Sequence, residues 1–278
     1  APQGEIFIVT TDIQDSTALW EANPEQMILV LDKHNEIMRA AIAATGGYEF
    51  KTEGDAFFVA YEDVEAMISF TCGVQRALMD VSWPNWLLSL MAEGSPACWN
   101  GIRVRMGVHY GRVSSAFDVR AGRTQYFGGM ANLATLVTDA AWGGQIVLSR
   151  QVVDRIASAR SSSPSPSTSR SAVALAPLAV LVFSGLAQPC EIWEMLPADL
   201  ASRSLCFTDD RMRRIARSAI LLTGDVFASV WPDEDATPSD IVAAPALANR
   251  MTTKQALSSL GKSTTNTFPM ANSLATSS

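Results

Sequence analysis

The run Ile6-Phe7-Ile8-Val9 is apolar at every position, which reads as a central strand buried on both faces, and it delivers Asp12 to the end of that strand. Downstream, GGYEFKTEGDAFFVAY (46–61) reads as two strands joined by the turn Thr52-Glu53-Gly54, with Asp55 at the mouth of the second. A carboxylate at the end of a buried strand loses hydration energy unless it is paired or binds a cation. Two of them could clamp one or two Mg²⁺ ions over a nucleotide triphosphate. Each aspartate alone also has an ordinary reading: Asp12 as the cap of a helix starting near Ser16, Asp55 as a turn residue.

The chain has 278 residues, 48% of them hydrophobic, enough for one domain of roughly 150–200 residues with an appendage. A net charge of −7 and a pI near 4.9 argue against a general nucleic-acid binder. Cys72, Cys98, Cys190 and Cys206 are scattered outside any Cys-x-x-Cys spacing, so neither structural zinc nor a disulfide framework is expected. The longest apolar stretch, 172–186, falls short of the roughly 18 residues of a membrane span and contains Pro177; it reads as a buried strand. The chain opens on Ala1-Pro2 without an initiator methionine, so it is expected to be a piece of a longer polypeptide. Its expected location is the cytosol or the cytoplasmic face of a membrane, with attachment of the parent protein left open.

Periodicity predicts a strand over 5–11 and a helix over 24–44, stopped by Gly46-Gly47. A hairpin (48–51 and 56–61), a helix over 64–79 and a Trp-rich irregular surface excursion over 80–101 follow. A strand within 99–113 has its hairpin partner at 113–119, then come a helix over 128–141, a strand over 145–148 and a helix to about 156. This order is an α+β pattern, with helices packed on one face of a mainly antiparallel sheet. The Ser/Pro-rich stretch 158–171 is a linker or loop insertion, and two more strands are expected near 179–183 and 191–195. The main folded domain is assigned to 1–196. Residues 197–278 form a tail, with a basic helix over 210–222 (Arg211, Arg213, Arg214, Arg217) and disorder from about Asp233.

Four motifs, TTDIQDST, KTEGDAF, RVRMGVHYG and YFGGMANLA, in this order and spacing, resemble the catalytic domain of class III nucleotidyl cyclases, in the variant found in fungal and protozoan adenylate cyclases. The resemblance covers about 3–196 and includes Gly143-Gly144-Gln145-Ile146. It implies a ferredoxin-like, mainly antiparallel sheet with helices packed against it. The implied reaction converts ATP to 3′,5′-cyclic AMP and pyrophosphate, with two Mg²⁺ or Mn²⁺ ions per site. By resemblance Asp12, Asp55 and the Ile13 carbonyl hold the metals, and Asp12, Asp55 and Asn132 form the catalytic group. Lys51 and Gln125 would read adenine, Asn132 would orient the ribose, and Thr17 with the amides of the turn 14–17 would hold phosphate oxygens. Arg112 is either a phosphate contact or an exposed hairpin arginine. His109 is read as a satisfied core histidine rather than a general base.

Three departures stand against this. Gln125 replaces the family's aspartate, and Leu136, one helical turn after Asn132, replaces the arginine that stabilises the transition state. Near Ser184-Gly185 the basic residue that often reaches the triphosphate is absent as well. In the resembled family the site forms head to tail between two catalytic domains, one giving the aspartates and the other the base-reading residues, asparagine and arginine. The implied partners are therefore ATP and a second cyclase domain, in a homodimer or heterodimer, with no nucleic acid and no membrane span in this fragment. The alternative is a catalytically weak, nucleotide-binding subunit that regulates a complete cyclase.

Overall fold

In the computed structural model, which describes residues 1–91, 98–161, 172–183, 188–206 and 220–221, the apolar run becomes strand β1 (Glu5–Ile13), inside an eight-stranded sheet. Helices α1 (Ser16–Ala22) and α2 (Pro24–Thr45) follow. Asn23 caps α2 by accepting the Gln26 amide at 3.2 Å, Pro24 occupies its first turn, and Gly46 ends it at φ 68°. The hairpin β2 (Tyr48–Glu53) and β3 (Ala56–Tyr61) leads to α3 (Val64–Met79), capped by Asp63. Then come α4 (Asn85–Leu90), β4 (Val104–Arg112), β5 (Ser114–Asp118), β6 (Arg123–Phe127) and α5 (Gly129–Asp139). The described chain continues through β7 (Ile146–Ser149), α6 (Arg150–Ser161), β8 (Val173–Val182), β9 (Cys190–Pro197), a 3₁₀ segment (Ala198–Cys206) and β10 (Ile220–Leu221).

The sheet order is β10-β8-β9-β7-β4-β1-β3-β2, antiparallel except for the parallel pair β4–β7, and β5–β6 form a separate two-stranded ribbon. Alternation along β1 divides the core. Phe7 and Val9 pack with Met27 and Met38 of α2, Phe70 of α3 and Ile156 of α6. Ile6 and Ile8 point the other way, into a cluster with Phe50, Tyr126 and Ala134. Helix α5 therefore covers the face opposite α2 and α3, and helices lie on both faces rather than one. The cause is legible in β1: a strand apolar at successive positions needs cover on each side. A Cβ on Gly107 of β4 would overlap Thr138 of α5, so this glycine admits the close approach of the helix. Thr10 of β1 hydrogen-bonds Thr138 across the same contact.

Other expectations change in detail. The stretch expected to be an irregular excursion contains α4, and its Trp83 and Trp99 are buried. Strand β8 begins well before 179 and passes Pro177 through a register shift, which removes the need for a ladder donor there. Most of the basic stretch expected to be helical lies outside the described residues, and its Ile220–Leu221 pair with Val182 and Leu181 as strand. The Ser/Pro-rich stretch is helical through Ser161; residues 162–171 and the region beyond 233 lie outside the described residues. Cys72 and Cys190 are free and buried, whereas Cys98 is in a disulfide, contrary to expectation. Among the described residues no helix is long and apolar enough to cross a membrane.

Candidate active site

The turn after β1 is held from both sides. On one side β4 pairs Asp12 with Arg105 and Ile13 with Val104, and the Arg105 guanidinium forms an ion pair with the Asp12 carboxylate. On the other side the β2–β3 turn, which passes through the left-handed region at Gly54 (φ 62°), presents Asp55. Its Oδ2 accepts the Ile13 amide at 2.9 Å, and Thr11 Oγ1 accepts the Phe57 amide at 3.2 Å, locking the β1–β3 register. The two aspartates thus meet: the carboxylate of Asp55 is bonded to the amide that follows Asp12.

This donor set suits a divalent cation. It offers two carboxylates beside a backbone carbonyl, all hard oxygen ligands, and the guanidinium on Asp12 marks a place where positive charge is already favoured. Among the described residues no group of three or more His, Cys, Asp or Glu side chains gathers to hold a metal. A cation at Asp12 and Asp55 would keep coordination positions for phosphate oxygens and water, as Mg²⁺ does. Gln14 is buried beside the pair, donating its amide to the Arg103 carbonyl (2.9 Å) and accepting the Gly143 amide at Oε1 (2.5 Å). Asp15 follows in the left-handed conformation (φ 57°) and caps α1, whose first turn exposes Thr17.

The remaining candidates fall elsewhere. Lys51 is exposed on β2, its Nζ 2.5 Å from Glu53 and 4.9 Å above the Phe58 ring. Gln125 is half-buried on β6, and the ribbon docks on β2 through the Thr124 amide to the Tyr48 hydroxyl (2.8 Å) and the Phe50–Tyr126 ring pair (4.8 Å). Asn132 is exposed near the start of α5, with Leu136 one turn later packed partly against the Val137–Ala140 cluster. Helix α5 runs from Gly111, where a Cβ would press on Met130, to Thr10, where Thr138 is bonded; Asn132 therefore lies toward the end of β1 away from Asp12. Arg112 is exposed and pairs with Glu5, seven positions along β1 from Asp12, a span of about 24 Å at ~3.4 Å per residue. Within one chain the aspartates come together, and Asn132 and Arg112 stand apart from them.

The ribbon beside Gln125 exposes Phe117 (64%), Val119 (84%) and Phe127 (54%). His109 is buried on β4 with Nδ1 bonded to Ser149 Oγ (2.8 Å), and burial pulls it down to about 4, as fits a satisfied core histidine. His34, buried edge-on to Phe57, is likewise pulled down to about 4 by burial, with Asp55 opposing the shift. Asp139 at the end of α5 is pushed above the usual carboxylate range by lost hydration, while Arg105 draws it down. Sequence reasoning missed Arg105 and Gln14. The signal for Arg105 was a charge among the buried residues Val104, Met106 and Val108 of β4. The region near Ser184-Gly185 lies outside the described residues.

Residues 1–173 match the model of the adenylate and guanylate cyclase catalytic domain. An adenylate cyclase of Schizosaccharomyces pombe is 40% identical over 158 residues, covering 55% of this chain and 9% of that protein. An adenylate cyclase of Neurospora crassa is 38% identical over 161 residues, covering 56% of this chain and 7% of that protein. The chain thus spans less than a tenth of the length of either relative. In fold it is similar to an adenylate cyclase of Trypanosoma brucei solved in its monomeric state, with a TM-score of 0.62 and 23% identity over 72% of this chain and 93% of that one.

Proposed function

The chain belongs to the adenylate and guanylate cyclase catalytic domain family, and from that premise we propose that it converts ATP to cyclic AMP and pyrophosphate at sites shared between two catalytic domains. The observation that carries the proposal is the hydrogen bond from the Ile13 amide, the residue after Asp12, to the Asp55 carboxylate, which brings the two aspartates to one turn. In the reaction the ribose 3′-oxygen attacks the α-phosphorus and gives up its proton, while the bond from that phosphorus to the pyrophosphate oxygen breaks. Asp12, Asp55 and the Ile13 carbonyl would hold Mg²⁺ or Mn²⁺, two ions per site, which supply Lewis-acid stabilisation of the attacking and leaving oxygens. Arg105 places a planar guanidinium at the same end, a donor suited to phosphate oxygens. The Gln14 amide is taken by the Arg103 carbonyl, so Thr17 and the amides of residues 15–17 would be the donors to the triphosphate at the start of α1.

Adenine is read by Lys51 and Gln125, and the ribose is oriented by Asn132, all from the second chain. The separation of Asn132 and Arg112 from Asp12 within one chain supports this division, and so does the exposed apolar strip Phe117, Val119 and Phe127 beside Gln125. Lys51 favours ATP over GTP; Gln125 keeps both a donor and an acceptor for the base. The test is cyclic-nucleotide production from Mn-ATP or Mg-ATP by wild type and Asp55→Ala. Loss of the carboxylate should lower kcat at least ~100-fold, about 2.7 kcal/mol of transition-state stabilisation. Leu136 favours a second reading, a weak nucleotide-binding subunit that regulates a partner cyclase. ATP binding without turnover in a folded wild-type dimer would establish that reading over the first.

A further inference from the structure

Beyond the stretch matched to the family, the segment Ala198–Cys206 packs against β8 and β9 and reaches Gly144 through Arg203. Its Arg203 is only 3% exposed, rare for an arginine. Nε donates to the Cys98 carbonyl (2.9 Å), Nη1 to Gln75 Oε1 (2.7 Å) and to the Gly144 carbonyl (3.1 Å), and Nη2 to the Gln75 carbonyl (3.5 Å). The guanidinium also lies 4.9 Å from the centre of the Trp99 ring, which Arg103 approaches at 5.1 Å.

Two of these partners, Gln75 and Gly144, lead to the turn after Asp12. Gln75 Nε2 and the Gly144 amide both donate to the Val104 carbonyl, at 2.9 and 3.0 Å, and Val104 is the β4 partner of Ile13. The Gly143 amide and the Arg103 carbonyl bind Gln14. Arg203 thus reaches Ile13 through Gln75 or Gly144 and then Val104, and reaches Gln14 through the Gly144–Gly143 peptide. On the outside Arg76 of α3 grips Asp199 through two hydrogen bonds, at 2.6 and 2.8 Å. A buried guanidinium costs several kcal/mol in lost hydration, and an apolar side chain would fill the same space at lower cost. Packing alone therefore gives no reason for an arginine; a rigid fork that fixes several carbonyls at once does.

We infer that Ala198–Cys206 is a latch, in which Arg203, braced by Asp199 and Arg76, fixes the Ile13–Gln14 turn and so sets the affinity of the Asp12–Asp55 pair for its divalent cation. Arg203 is a positioning residue. What the cation does there rests on the cyclase reading, whereas the mechanical link from Arg203 to the turn does not.

The test uses the full chain with Arg203→Lys, which keeps the charge and loses the fork, and Asp199→Asn, which loosens the brace at an exposed position. One readout is amide hydrogen exchange over residues 12–17; the other is the Mn²⁺ concentration that half-saturates binding of a fluorescent ATP analogue. Arg203→Lys should speed exchange at 12–17 roughly 10-fold. It should also raise the Mn²⁺ midpoint about 10-fold, with binding at saturating Mn²⁺ changed less than ~2-fold. Asp199→Asn should move both quantities in the same direction by a smaller factor, and it decides alone should Arg203→Lys not fold. Unchanged exchange at 12–17 overturns the latch. Faster exchange with an unchanged Mn²⁺ midpoint overturns its role in metal affinity. A wild type that binds no metal–nucleotide overturns the cyclase reading, and the exchange data then still decide the mechanical link.

Discussion

Leu136→Arg separates the two readings of this chain, because it restores a charge on the side chain that follows Asn132 by one helical turn. Leu136 is half-buried against the cluster of Val137, Ala140 and Leu181. Fully burying a leucine is worth ~1.5–3 kcal/mol, so losing half of that burial costs roughly 1 kcal/mol, and the arginine stem recovers part of it. The melting temperature should fall by about 2–4 °C, which leaves the protein folded in the assay. Against this, a guanidinium placed where charge develops is worth ~2.7–4 kcal/mol, or roughly 10²–10³ in kcat. The assay is steady-state cyclic AMP formation with Mn-ATP, fitted for kcat and KM separately. The rise should appear in kcat, because the charge acts on the transition state more than on bound ATP. Mixing then tests which chain supplies it. Wild type has both aspartates and no arginine; the double variant Asp55→Ala, Leu136→Arg has the reverse, so each alone stays slow. An equal mixture should reach about one quarter of the Leu136→Arg rate, since half the dimers are mixed and each holds one complete site. An unchanged kcat in Leu136→Arg would refute the reasoning. A fast single variant with an inactive mixture would place the arginine and the aspartates on one chain.

Acid should unfold this protein early. His34 and His109 are buried, and burial pulls both from 6.5 to about 4. Between those values the unfolded chain binds protons that the folded chain refuses, so stability is full above pH 6.5 and falls as the pH drops toward 4. At ~1.4 kcal/mol per pKa unit the loss is on the order of 3 kcal/mol for each histidine. Urea midpoints measured at neutral and acid pH should show this loss, and His109→Gln should flatten the profile; equal midpoints would rule it out. Gly107→Ala should push α5 off β4, because the added Cβ meets Thr138 and the Ala134 carbonyl. The overlap should cost ~1–3 kcal/mol, read by thermal melting, and an unchanged melting temperature would show that α5 yields freely.

Local chemistry made much of the fold readable. Asn23-Pro24 before an apolar periodicity and Gly46-Gly47 after it bound α2 to within a residue, because a cap and a left-handed stop act on their own helix. What escaped depends on partners distant in sequence. Trp83 and Trp99 look like surface residues in an irregular stretch, yet they are buried because Gly101 and Gly144 leave room where a Cβ would overlap each indole. The return strand β6 has no tight turn signal, and it forms by pairing with β5 and docking on Tyr48. Pro177 stands inside β8 because a shift in register beside it absorbs the missing donor, a device set by pairing with β9 rather than by local sequence.

The candidate site divides in the same way. Asp12 and Asp55 were visible because each ends or begins a strand, a position the sequence encodes locally. The ion pair of Asp12 with Arg105 depends on the β1–β4 register, and Arg203 acts through carbonyls of Gln75, Cys98 and Gly144, which carry no signature of their own. The order of motifs along the chain also hides their placement. Asp12 stands at one end of β1, whereas Arg112, Met130 and the first turn of α5 stand at the other. If two copies pair head to tail, the Asn132 end of one meets the Asp12 end of the next. On that geometry Leu136 would weaken the site whose aspartates belong to the partner, and would leave this chain's own aspartates to serve a partner that carries an arginine there. The consequence is asymmetric: in a mixed dimer with such a partner, Asp55→Ala in this chain should abolish the fast site, while Leu136→Arg in the same chain should add a second one.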